Sequence, residues 1–332
     1  MENTKKQQTL RKNALSRLTF AENASTMILD FYAEGARIMK KIAKIVGKAL
    51  LALLLALVTL LLILIFPAPP LLELGSNGPE SAKRYHLLLG SLYRSQDMTV
   101  DELHCYFSAR TTLMQTDAEN RKVLLRNKDA IPQTLRETYG AAHIGGISYY
   151  NGKIYAGLED SKRWQHPLVA LYDAKTLAFS GECYELDKTI HSRGLPWVAV
   201  DPETGLLWAM DHSVTPTAMY AYDVNNAMQP AGSVTLSESV HRVQGGEFFG
   251  GMLYGATQDD TQAVYRVNPK TGEVKKMFDR NLAPKSEGEG MTLRVEKQAD
   301  GSEAPVFYAM DLGPLFVNAY VREYRDVAGV EQ

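Results

Sequence analysis

The polarity pattern divides the chain in two. Residues 8–44 place apolar side chains at helical spacing (Leu15, Leu18, Ile28, Phe31, Ile38) with few breakers, which predicts a helix. The run Ala49–Phe66 then goes eighteen residues without a charge. From residue 105 onward the period changes to two. Short alternating runs are punctuated by turn signals, as in HIGGISYYNGKIYAGLED at 143–160, where Asn151-Gly152 joins two alternating segments. Such a dipeptide tolerates the positive φ of a tight hairpin turn, so Gly146–Tyr150 and Lys153–Gly157 are expected to pair.

This hairpin recurs. WVAVDPETGLLWAM at 197, GGEFFGGMLYGA at 245 and GMTLRVEKQADGSEAPVFYAM at 290 repeat strand, turn, strand. Each carries an aromatic near the end of its second strand (Tyr155, Trp208, Tyr254, Tyr308), at spacings of 46–54 residues. A second hairpin follows each of the first three. Four antiparallel strands per repeat of this length is the mark of a propeller blade. Residues 105–131 read as a further blade with a poor first strand. The last repeat lacks an outermost strand after Tyr324, which an N-terminal strand can supply to close the ring. The expectation is an all-β propeller of five four-stranded blades, six being the alternative count. A β-sandwich would not need the same hairpin four times.

The expected organisation is a basic helical tail over 1–44, a transmembrane helix over 45–66, a linker and polar helical lead-in over 67–104, a propeller over 105–327 and a short tail over 328–332. Composition adds an orientation. The 332 residues carry a net charge of −2, yet residues 1–48 hold ten Lys or Arg against four Asp or Glu. Roughly 20 apolar residues suffice to cross a bilayer core. The apolar run is longer than the core of a secretory signal peptide, and nearly fifty residues precede it. It therefore reads as a retained single-span anchor. The basic flank (Arg37, Lys40, Lys41, Lys44, Lys48) puts the N-terminus in the cytoplasm and the propeller outside the cell membrane. The same flank has the makings of an inner-leaflet contact. Cys105 and Cys183 fit either one disulfide or two separate thiols.

Candidate chemistry follows from blade topology. Strand 1 lines the channel and strand 2 returns, so strand-1 starts and strand-2 ends share one rim. That rim collects His143, Glu159 and Asp160 from the first hairpin, then Trp197, Asp211 and His212, then Gln244 and Asp259, and finally Glu287, Glu289 and Asp311. His143 and Glu159 are candidates for proton transfer. Asp160, Trp197, His212, Gln244, Asp259 and Glu287 are candidates for ligand binding. Carboxyl oxygens at such a rim also suit Ca²⁺ or another divalent cation, with Glu289, Asp211 and Asp311 as its candidate ligands. The bland alternative is a solvated rim bonded to neighbouring blades. No nucleophile elbow, HExxH, P-loop or dinucleotide motif is present, and nothing points to nucleic acid.

The segments HIGGISYYNGKIYAGLED, PWVAVDPETGLLW, QGGEFFGGMLYG and SEGEGMTL resemble exported bacterial β-propellers of largely unknown function, over residues 105–327. More distantly, the Glu-Gly strand start is similar to that of gluconolactonase/strictosidine-synthase-like and esterase-like phytase propellers. That resemblance implies a channel metal held by Glu289, with Asp211 standing in for an Asp ligand. The Asn ligand has no counterpart, since Gln244 fills a comparable slot. Two functions follow: a binding module using its channel face for a small molecule or protein, or a metal-dependent hydrolase of a lactone, ester or phosphoester.

Overall fold

The computed structural model describes residues 2–65, 81–87, 92–119, 122–160, 164–282, 286–297, 301–313 and 319–330. The chain forms two compact units, divided near residue 63. The first is one continuous helix, α1 (Glu2–Ile65). Its stretch Ser25–Leu62 is long and apolar enough to cross a membrane, and none of it is buried against protein. The expected boundary near residue 44 is therefore a change of polarity within one helix rather than a break.

The second unit is a five-bladed β-propeller of four-stranded antiparallel sheets. Strand β1 (Ser81–Leu87) comes first in the chain and belongs to the last blade. Blade I is β2 (Met98–Val100), β3 (His104–Ala109), β4 (Thr112–Asp117) and β5 (Val123–Asn127). After the short helix α2 (Gln133–Tyr139), blade II is β6 (Ala141–Tyr150), β7 (Lys153–Asp160), β8 (Leu168–Asp173) and β9 (Phe179–Glu185). Blade III is β10 (Ala199–Asp201), β11 (Leu206–Ala209), β12 (Ala218–Asp223) and β13 (Gln229–Thr235). Blade IV is β14 (Val243–Phe249), β15 (Met252–Thr257), β16 (Val264–Val267) and β17 (Val274–Phe278). Blade V is β18 (Glu287–Lys297), β19 (Glu303–Leu312), β20 (Ala319–Tyr324) and, outermost, β1.

The ring has the expected five blades, and it closes as the missing last strand required. Strand β1 runs antiparallel to β20, from Ser81↔Tyr324 to Leu87↔Ala319. One expectation is corrected: the stretch before residue 105 read as a helical lead-in holds strands β1 and β2 instead. For β1 the reason is that outermost strands have little apolar signal, and for β2 that it is only three residues long. Among the other outermost strands, β9 (FSGECYE) is half-buried or exposed along its length and β13 (QPAGSVT) is mostly exposed.

Five apolar clusters fill the seams between successive blades. Ile144, Ile147 and Ile154 meet Tyr106 and Leu113 between blades I and II. Trp197 and Trp208 meet Phe248 and Leu253 between III and IV. Met98, Cys105 and Phe107 meet Val306, Tyr308 and Val321 where the ring closes. The recurring aromatics Tyr155, Trp208, Tyr254 and Tyr308 all sit in these seams, 0–7% exposed. The hairpin turn at Asn151-Gly152 has φ of 48° and 76°, as its sequence requires. The innermost strands β2, β6, β10, β14 and β18 contact one another around the axis. Their starts define a mouth face, and their tight strand-1-to-2 turns define the opposite, turn face.

Candidate functional site

Three carboxyls line the axis from the mouth inward, two of them buried and the third, Glu247, half-buried. The middle one is Asp97, fully buried, just before β2. Its Oδ2 accepts the Ile147 N–H at 2.9 Å and its Oδ1 the Met98 N–H at 2.8 Å. The Met291 N–H also contributes. Three other blades make room for it. A Cβ on Gly290 would lie 1.6 Å from Oδ1, one on Gly245 2.5 Å from Oδ1, and one on Gly146 2.9 Å from Oδ2. Glycine is needed there for close approach. Burial drives the Asp97 acid well above the usual carboxylate range, more than its N–H donors lower it.

Toward the turn face lies Glu247, on β14. Its Oε2 accepts from Thr99 Oγ1 at 2.8 Å and Thr292 Oγ1 at 3.1 Å, so blades I, IV and V meet at one oxygen. Burial pushes it up to about 7. Side chains of three blades are thus joined to one another at the axis.

The outermost acid is Glu289, one residue before the glycine that faces Asp97. It is 3% exposed, and no hydrogen bond or ion pair holds its carboxyl among the described residues. Burial first, then the nearby Glu287, raise it well above the usual range, while Arg280 opposes this. Beside it, Arg280 is itself buried, donating from Nε to Gln262 O at 2.7 Å and from Nη1 to Met310 O at 2.9 Å. Its Nη2 and the Gln262 Oε1 are both buried without a partner. Both lie against Gly288, where an added Cβ would be 1.9 Å from Nη2 and 2.9 Å from Oε1. Glu287 Oε1 accepts from the Gln258 amide. A buried polar group without a partner is costly, so two such atoms beside one strand start call for an explanation.

Across the mouth, the expected pair His143 and Glu159 does come together. They face each other in the β6–β7 register, with His143 Nδ1 3.1 Å from Glu159 Oε2. Gly194, at φ 93°, leaves space for the Glu159 carboxyl. His212 lies within electrostatic reach of Glu159, and burial lowers its pKa.

Several rim candidates have structural tasks instead. Trp197 is 1% exposed in the seam between blades III and IV, which leaves it no surface for a ligand. Asp160 Oδ2 accepts the Gln165 and His166 N–H groups and so holds its own loop. Asp259 accepts from Thr261 N, Ala263 N and Tyr265 Oη. Asp211 Oδ1 accepts the Arg193 N–H at 2.9 Å. Gln244 is half-buried at the start of β14. Asp311 is fully buried and forms a fork with Arg322 at 2.6 and 3.1 Å.

These partners bear on the divalent cation. Glu289, Asp211 and Asp311 form no common cluster, and no group of three His, Cys, Asp or Glu side chains able to hold a metal occurs among the described residues. Asp311 is already neutralised by a guanidinium. The donor set implied by the lactonase resemblance therefore does not fit such an ion. The two cysteines are free.

Sequence reasoning missed Asp97, Glu247, Arg280 and Gln262. Only Glu247 carried a usable signal, as a charge inside the otherwise apolar strand QGGEFFG.

Comparison with known proteins adds the fold and little else. Residues 181–293 match a family model described as a repeat of unknown function (DUF6923). No curated protein matches. Among solved structures, the glutaminyl cyclase of Myxococcus xanthus is 13% identical at a TM-score of 0.51, covering 74% of this chain and 96% of that one. The RRP9 WD40 repeats are 13% identical at 0.42, over 71% and 62% of the two chains. Hydrazine synthase of Kuenenia stuttgartiensis is 12% identical at 0.38, over 68% and 57%.

Proposed function

We propose that this chain is a membrane-tethered propeller, held outside the cytoplasm by its N-terminal helix, that binds a small molecule or a protein segment at the channel mouth. The observation that carries this reading is Glu289, a buried carboxyl to which the described residues give no hydrogen bond or ion pair, only the field of Arg280. Arg280 Nη2 and Gln262 Oε1 beside it lack partners too. Burial favours the protonated form of Glu289, an O–H donor and carbonyl acceptor, while Arg280 offers a charged donor and Gln262 an acceptor. His143 and Glu159 complete the rim. A ligand that satisfies these groups recovers what their burial costs.

The test is a thermal-shift screen of the full chain in detergent against a library of polar metabolites and short peptides. A true ligand raises the melting temperature of the wild type by mass action. That shift is expected to vanish in Glu289→Gln and to shrink in His143→Ala. Shifts that persist unchanged in both variants would remove the mouth from consideration.

A second reading is a hydrolase of a lactone, ester or phosphoester at the same mouth. The burial that raises the Glu289 acid favours it, since a proton donor for a departing oxygen is what such chemistry needs. The fold shared with a glutaminyl cyclase adds weak support. Turnover of a chromogenic ester, lost in Glu289→Gln, would select this reading.

A further inference from the structure

The turn face carries a feature unrelated to the mouth. Where the ring closes, blades I and V enclose a cavity of about 430 Å³. Its floor is apolar: Met98, Cys105 and Val321 are 2%, 3% and 1% exposed. One wall is a closed chain of charges. Glu296 takes Tyr308 Oη and Arg294 Nε on one oxygen and Arg325 Nη2 at 2.6 Å on the other, while Arg325 Nε reaches Glu323. The Arg294 guanidinium lies 4.8 Å above the Tyr308 ring and donates to Ala118 O in the neighbouring blade. This wall is prebuilt and internally neutralised.

The charges left over stand at the opening. Glu102 and Glu119 are exposed and make no hydrogen bond or ion pair among the described residues; Lys297 is the one cation in the same position. Glu102 also lines an adjoining cavity of about 620 Å³, together with Tyr149, which stacks on Tyr106 at 5.8 Å and 5°. An anion approaching here meets two unpaired carboxylates against the single Lys297, and both arginines of the wall are already engaged by glutamates. A cation meets two acids against one lysine, and an apolar body attached to it finds the Met98–Cys105–Val321 floor.

We infer that this seam cavity is a second binding site, for a small organic cation: a primary amine or guanidinium on a short apolar body. The ammonium sits between Glu102 and Glu119, and the apolar part lies over Cys105. The site is independent of the mouth, so either can fail without the other.

The experiment is calorimetric titration of the full chain in detergent with tyramine, and with its neutral N-acetyl derivative. Saturable one-to-one binding of tyramine is expected, with none of the neutral analogue. The E102Q/E119Q double variant, altered only at exposed positions, is expected to keep its melting temperature and to bind at least about ten-fold more weakly, roughly the value of one lost charge contact. Glu289→Gln is expected to leave the binding unchanged. Absence of saturable tyramine binding, equal binding of the neutral analogue, or affinity unaffected by E102Q/E119Q would each overturn the site. Loss of binding in Glu289→Gln would move the ligand to the mouth and overturn it too.

Discussion

Asp97 and Glu289 are neighbours along the same axis, and both are acids removed from water. They differ in how the protein treats them. Asp97 is met by N–H groups from Met98, Ile147 and Met291, and three blades give up side chains to seat it. Glu289 is given no hydrogen bond or ion pair by the described residues, only the field of Arg280, and the donor and acceptor beside it are left open. Burial alone therefore does not mark a functional acid. The informative quantity is whether the fold has satisfied the buried group. By that measure Asp97 is an axial pin and Glu289 is the candidate site.

Substitutions at the pin carry the largest effects. Gly290→Ala drives a Cβ to 1.6 Å from Asp97 Oδ1, a carboxyl that its N–H donors hold in place. A loss of about 5 kcal/mol in urea unfolding is expected, or no folded protein, since overpacking and a broken buried network combine. Arg322→Leu comes next. It strands Asp311, fully buried and forked by that guanidinium at 2.6 and 3.1 Å, at a cost of about 3–5 kcal/mol. A stable Arg322→Leu protein would show that a buried acid here needs no partner, and the contrast between Asp97 and Glu289 would lose its meaning.

Glu247 sharpens the comparison through pH. Its folded-state value of about 7 stands above the ordinary 4.5. The folded state therefore holds this proton more tightly. The contribution is complete below the unfolded value and fades as pH rises through the folded one, by about 3 kcal/mol in all. Glu247→Gln keeps an oxygen for Thr99 and Thr292. It is expected to flatten the decline of melting temperature between about pH 5 and 8, as a pH series of thermal melts can read. The smallest effect is at the rim. His143→Ala removes a partly exposed pair with Glu159, so its stability cost should stay below about 1 kcal/mol while ligand-induced shifts shrink.

The hairpin repeat was legible because inner and second strands alternate cleanly around turn residues such as Asn151-Gly152. The missing outer strand was legible too, as a gap after Tyr324. Its identity was not, because β1 (SAKRYHL) carries a run of polar residues like other edge strands. Strand β2 was hidden by its length, three residues. At the site, Glu289 and the His143–Glu159 pair followed from topology, which places strand starts and ends on one rim. Asp97 did not, because nothing in SQDMTV distinguishes an acid on the axis from one in a loop. Its role exists only once three glycines from other blades surround it. Trp197 misled for the opposite reason: a rim position in sequence proved to be a seam position in space.

The most direct measurement is a matched pair of neutral isosteres in the full chain, Asp97→Asn and Glu289→Gln, unfolded by urea at about pH 8, above the ordinary carboxylate range. Asp97→Asn puts an amide donor against a backbone N–H and is expected to lose about 2–3 kcal/mol. Glu289→Gln removes an acid the fold leaves without a partner, and is expected to match or exceed wild-type stability. If Glu289→Gln destabilises as much as Asp97→Asn, Glu289 is a second structural pin and the mouth has no claim to be a binding site.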